Sequence, residues 1–184
     1  KRIENGETGE GMKGLAMRIG DEVVNNGPAE PVDLSTLPIP DRDLLDINPE
    51  YLRSRAINMH ASRGCPFKCK FCQPTLQRLF GRKVRFDPAE KVAEEIGHYS
   101  GLYGIKEFFF HDDTFTVSVR WMRELVEALR ERGLIEGYRY VVNSRVDTFD
   151  REKAALLKEV GVYYVLFGIE SGSQKILDSI GKGT

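Results

Sequence analysis

Residues 105–145 read IKEFFFHDDTFTVSVRWMRELVEALRERGLIEGYRYVVNSR, and their pattern decides the fold. Ile105–Phe110 is an apolar run of strand length. It breaks off into His111-Asp112-Asp113-Thr114. Val117–Arg132 has helical spacing instead: Trp121, Leu125, Ala128 and Leu129 fall on one face, and Gly133 stops it. Tyr138–Asn143 reads as strand again and ends at Asn143-Ser144-Arg145. Two strands separated by such a helix predict a parallel pair joined by a crossover.

The same unit recurs on both sides. Ala56–Ala61 is a strand that runs into Ser62-Arg63-Gly64-Cys65, and Asp87-Pro88 opens a helix to about Tyr99. Asp150 caps a helix that ends near Val160 at Gly161. Tyr163–Phe167 is the next strand, followed by Gly168-Ile169-Glu170-Ser171-Gly172, and Ser173 starts a last helix. The fold class is therefore α/β, a partial parallel (β/α) barrel of about four units. Its unusual polar residues all fall at the carboxyl ends of the strands, where parallel α/β folds gather their chemistry. Cys65, Asp113, Arg145 and Glu170 are expected on one rim. Upstream, residues 13–26 read as a β-hairpin around Gly20-Asp21. Residues 27–50 carry five prolines and read as an extended linker docked by Leu34, Leu37, Ile39, Leu44 and Leu45. The expected domains are 1–52, hairpin and linker, and 53–184, barrel.

Composition narrows the function. The 184 residues carry a net charge of −1, which argues against a general binder of polyanions. No apolar run approaches the roughly 18 residues of a membrane span. The opening KRIENGETGEG has neither a secretory apolar stretch nor an initiator Met, so a cytoplasmic fragment or processed chain is expected. The three cysteines, Cys65, Cys69 and Cys72, lie within eight residues. So tight an odd set suits reduced thiols holding a metal better than disulfides. Residues 53–85 carry nine basic side chains and no acidic one, whereas residues 1–50 carry five basic and eleven acidic. Positive charge around the cysteines suits thiolates, an anionic cluster or an anionic substrate; a solvated loop with a chance excess is the plain alternative.

The segment SRGCPFKCKFC, residues 62–72, gives a C-x3-C-x2-C spacing. Iron–sulfur cubanes are held by cysteines this close, normally by four. With three, one iron would lack a protein thiolate, and an open metal position is where small molecules bind. A structural zinc completed by His60 or His111, and a ferredoxin-like electron carrier, are the competing readings. His60 and His111 read more simply as hydrogen-bonded structural residues.

C-x3-C-x-aromatic-C after a first strand resembles the signature of the radical SAM superfamily, with Cys65, Cys69, Phe71 and Cys72 in its positions. The resemblance implies a [4Fe–4S] cluster on the three cysteines and S-adenosylmethionine on the fourth iron, with Phe71 near the adenine. Reductive cleavage would then give a 5′-deoxyadenosyl radical. FFFHDDTF is similar to the motif that binds the cofactor's amino group, with Asp112, Asp113 and Thr114 in place of the usual Gly-Gly-Glu. Arg145 stands where related enzymes place a basic residue near the methionine carboxylate. FGIESGSQ resembles the fourth-strand motif, with Glu170 and Ser171 toward ribose and carboxylate.

VDLSTLPIPDRDLLD before the cysteines resembles the join between a cobalamin-binding domain and a radical SAM domain. That subfamily performs cobalamin-dependent methyl transfer and ring formation. The superfamily core has six strand–helix units and this sequence holds four, so it reads as part of a larger enzyme, inactive or incomplete alone. Cobalamin would enter through an upstream domain. Expected partners are a flavodoxin- or ferredoxin-type electron donor and a small-molecule substrate, with no membrane. The open sheet edge predicts self-association. The alternative function is a zinc-stapled basic module binding nucleic acid.

Overall fold

The computed structural model describes residues 4–6, 8–45, 56–72 and 83–184. The end of the linker and the middle of the basic stretch lie outside the described residues. The chain divides into two compact units, Lys1–Asp33 and Leu34–Thr184.

The first unit is built on strands β1 (Ala16–Ile19) and β2 (Glu22–Asn25), an antiparallel hairpin with Ile19 opposite Glu22. The Asn26 side-chain amide donates to the Gly9 carbonyl at 2.9 Å and ties the loop before the hairpin to its end.

The second unit is the α/β layer. Strands β3 (Ile57–Met59), β6 (Glu107–Phe110), β7 (Arg139–Ser144) and β8 (Val162–Phe167) form one parallel sheet in that order. Each strand–helix unit adds its strand beside the last, the progression of a barrel wall. A short antiparallel pair, β4 (Ser62–Arg63) with β5 (Arg85–Phe86), brackets the cysteine loop. Helices α1 (Ala89–Tyr103), α2 (Val119–Glu131), α3 (Arg151–Glu159) and α4 (Gln174–Ser179) follow the parallel strands.

Local chemistry sets the helix ends. The Ser118 hydroxyl accepts from the Trp121 N–H at 3.2 Å, and the Asp150 carboxylate accepts from the Lys153 N–H at 2.9 Å, each satisfying a free amide of a first turn. The core lies between the sheet's outer face and α1 and α2. Phe108, Phe110, Tyr140 and Val142 alternate on that face and are buried. Ile96 and Tyr99 of α1 and Trp121, Leu125 and Leu129 of α2 pack in the same cluster. Phe108 and Phe110 are thus core, while the intervening Phe109 is half-buried, its ring tilted against His111 with centres 3.8 Å apart.

Residues 34–45 strap onto α1. The Tyr99 hydroxyl donates to the Pro40 carbonyl at 2.7 Å, and the Tyr103 hydroxyl donates to Asp43 at 2.7 Å. Docking is narrower than the apolar residues suggested. Leu34 is buried and Ile39 packs on the core, but Leu37 and Leu44 are exposed. Polar bonds from α1 tyrosines hold the strap where leucines were expected to.

Candidate active site

Each parallel strand delivers its polar residues to one end. After β3 the chain crosses His60 and Ala61 into β4 and then enters the cysteine loop. The first anchor of that loop is Asp112, which follows β6 and is 1% exposed. Its carboxylate accepts from the Ala61 N–H at 3.2 Å and from the Ser62 hydroxyl. Burial pushes the Asp112 carboxyl up to about 6, against the opposing pull of those two hydrogen bonds. Asp112 therefore secures the loop and does not line the cavity. Its neighbours Asp113 and Thr114 do line it.

Cys65, Cys69 and Cys72 are free, half-buried and border one cavity of about 320 Å³. That volume is at the lower end of small-molecule sites, roughly 300–1,000 Å³. Phe71, Asp113, Thr114, Asn143, Arg145 and Glu170 share its wall. Burial raises the Cys65 thiol, with Asp113 acting in the same direction.

Arg145 leaves the end of β7 and is 5% exposed. Asp147 holds it through two bonds of 2.9 and 2.8 Å, and the guanidinium lies 3.7 Å from the Phe67 ring centre. Its remaining Nη1 donates to Cys69 Sγ at 3.1 Å, so a buried cation is aimed at a sulfur. Below it, the hydroxyls of Thr116 and Ser144 meet at 2.6 Å and stitch the segment after β6 to β7.

Past β8, Glu170 has φ of 64°, the one positive value outside glycine among the described residues. Its carboxylate pairs with Lys182 Nζ at 3.0 Å. Ser171 faces elsewhere: its hydroxyl accepts from the Ser173 N–H at 3.1 Å, ahead of α4. The fold thus brings Cys65, Cys69, Phe71, Cys72, Asp113, Thr114, Arg145 and Glu170 to one cavity and leaves Asp112 and Ser171 off it. His60 and His111 also stay off the lining, and His111 Nε2 bonds Asn58 Oδ1 at 2.8 Å.

Three thiols are the donor type that iron–sulfur clusters take, and all three border the one cavity. Among the described residues, no three His, Cys, Asp or Glu side chains converge on a point where one ion could sit. Lys182, Asp147 and the β4–β5 bracket were not foreseen. The only local hint at Lys182 was its placement between two glycines.

A family model of the radical SAM superfamily matches residues 59–184. The chain is 37% identical to an uncharacterized methyltransferase of Pyrococcus horikoshii, over 98% of this chain and 39% of that protein. It is 30% identical to the anaerobic magnesium-protoporphyrin IX monomethyl ester cyclase of Cereibacter sphaeroides, over 97% of this chain and 29% of that enzyme. The chain thus spans about two fifths or less of these relatives. In fold it is similar to the cobalamin-dependent S-adenosylmethionine radical enzyme OxsB, solved with aqua-cobalamin and S-adenosylmethionine bound. There the TM-score is 0.80 at 21% identity, covering 100% of this chain and 28% of OxsB.

Proposed function

The chain belongs to the radical SAM superfamily of enzymes, and from that premise we propose that it binds a [4Fe–4S] cluster on Cys65, Cys69 and Cys72 and S-adenosylmethionine in the cavity beside it. The observation that carries this reading is three thiols sharing one cavity with Asp113, Arg145 and Glu170. When bound, the pair supplies one-electron cleavage of the sulfonium to a 5′-deoxyadenosyl radical.

The residues then have separable tasks. Arg145 holds positive charge against Cys69 and the anionic end of the cofactor. Asp113 and Thr114 offer a carboxylate and a hydroxyl for its ammonium group. Glu170 accepts from the ribose hydroxyls, and Phe71 covers the adenine. Asp112 and Ser171, first expected as cofactor contacts, secure the cysteine loop and the start of α4 instead.

In the whole enzyme we propose residues 53–184 as the first part of the catalytic domain and residues 1–52 as the lead-in from a cobalamin-binding domain. The likeness to a methyltransferase at 37% identity favours cobalamin-dependent methyl transfer, and the cyclase at 30% keeps ring formation as a second outcome. A low-potential donor of the flavodoxin or ferredoxin type would supply the electron, in a reducing cytoplasm. No helix among the described residues is long and apolar enough to cross a membrane.

The test is anaerobic reconstitution with iron and sulfide. A brown protein is expected whose reduced EPR spectrum changes on adding S-adenosylmethionine. Changing any one of the three cysteines to Ala should abolish both colour and response. Stoichiometric zinc under iron-replete conditions, or a spectrum indifferent to S-adenosylmethionine, would overturn the reading in favour of a zinc-stapled basic module.

A further inference from the structure

Lys182 joins parts of the cavity that no local sequence signal connects. Its side chain is 5% exposed, and a buried ammonium requires a partner. Glu170 supplies one at 3.0 Å, and the Phe71 ring centre lies 5.5 Å from the same nitrogen. The Lys182 carbonyl accepts from Arg145 Nη2 at 2.7 Å, the guanidinium that also donates to Cys69. One residue thus grips Glu170 by its side chain and Arg145 by its backbone.

Two independent observations make this grip more than a packing accident. Glu170 carries a left-handed backbone, a conformation costly outside glycine that persists only where its surroundings enforce it. At Gly168 a Cβ would lie 2.9 Å from the Glu170 carboxylate and 3.0 Å from Lys182 Nζ. The ion pair fills the space a side chain at 168 would occupy, so space, strain and burial all converge on it.

We propose that Lys182 is a positioning residue that fixes Glu170 on the cavity wall in its ligand-receiving conformation while its carbonyl seats Arg145 against Cys69. This rests on the reading that Glu170 contacts S-adenosylmethionine. Lys182 acts through Glu170, neutralising one carboxylate oxygen so that the group faces the cavity without swinging into solvent.

The test has two arms in the full chain. Without cofactors, Lys182→Met should speed hydrogen exchange across residues 168–172, whereas Lys175→Met, at an exposed lysine of α4, should not. With the cluster reconstituted, Lys182→Met should weaken S-adenosylmethionine binding by about tenfold, with iron content unchanged. Glu170→Gln should cause a similar loss, the double variant should be no worse than either single one, and Lys182→Arg should recover most of the affinity. Unchanged exchange in Lys182→Met, or single losses that multiply in the double variant, would overturn the proposal. If the unmodified loaded chain bound no S-adenosylmethionine, the functional reading would fall, and the exchange arm would still decide whether Lys182 holds Glu170.

Discussion

Asp112 and Asp113 are neighbours with opposite surroundings. Asp113 borders the cavity, whereas Asp112 is sealed beneath the cysteine loop with its carboxyl raised from 3.8 to about 6. A raised carboxyl takes up its proton in the folded chain before the unfolded one does. Its contribution to stability is therefore fully present below pH ~4 and is lost as pH rises through about 6. The span is roughly 3 kcal/mol. Asp112→Asn should flatten the dependence of the urea midpoint on pH between 4 and 6.5 relative to the unaltered chain. Parallel curves would mean that burial costs this carboxylate nothing. The same pair marks what sequence can say about the site. Both lie past the end of β6, where strand alternation no longer sets direction, so nothing local says which of the two enters the cavity. The cysteines were legible because their spacing is local. Arg145 and Glu170 were legible because they follow strands. Lys182 was not, since its meaning lies in partners 12 and 37 residues away.

At the scale of elements most boundaries in the α/β layer are legible to within about two residues, but α1, expected to end near Tyr99, runs on to Tyr103, where Gly104 stops it. The helix expected to begin at Asp150 is capped by that carboxylate, and the one expected to end at Gly133 stops at Glu131. Caps and glycine stops act within a few residues, so they survive in the sequence. The β4–β5 bracket escaped because two-residue strands have no periodicity to detect. Gly161, between α3 and β8, shows how strict one such junction is. Its φ is 89°, and a Cβ there would lie 2.7 Å from the Tyr138 carbonyl. Gly161→Ala should cost about 1–3 kcal/mol in urea unfolding. Gly172→Ala, with open space around it and no left-handed backbone, should stay within about 0.5 kcal/mol of the parent. Equal costs at the two positions would mean that the junction yields more easily than its geometry implies.

For the molecule as a whole, the sheet ends on β8, which pairs only with β7 among the described residues. By register Tyr164 and Leu166 share a face with Val141 and Asn143, and they are 57% and 38% exposed. Tyr163 is exposed as well. An apolar strand with unused backbone donors and acceptors is a template for another strand. Sedimentation should show concentration-dependent association of the 184-residue chain, reduced by charged substitutions at Tyr164 and Leu166. A strictly monomeric species at high concentration would contradict this. A last consequence concerns time. Cys69 and Lys182, joined through Arg145, are 113 residues apart. At roughly 5–20 residues per second, about 6–23 seconds of synthesis separate the emergence of Cys69 from that of the lysine joined to it. Until then the carbonyl that seats Arg145 against Cys69 does not exist, so the proposed cluster should be loaded only after residue 182 has left the ribosome.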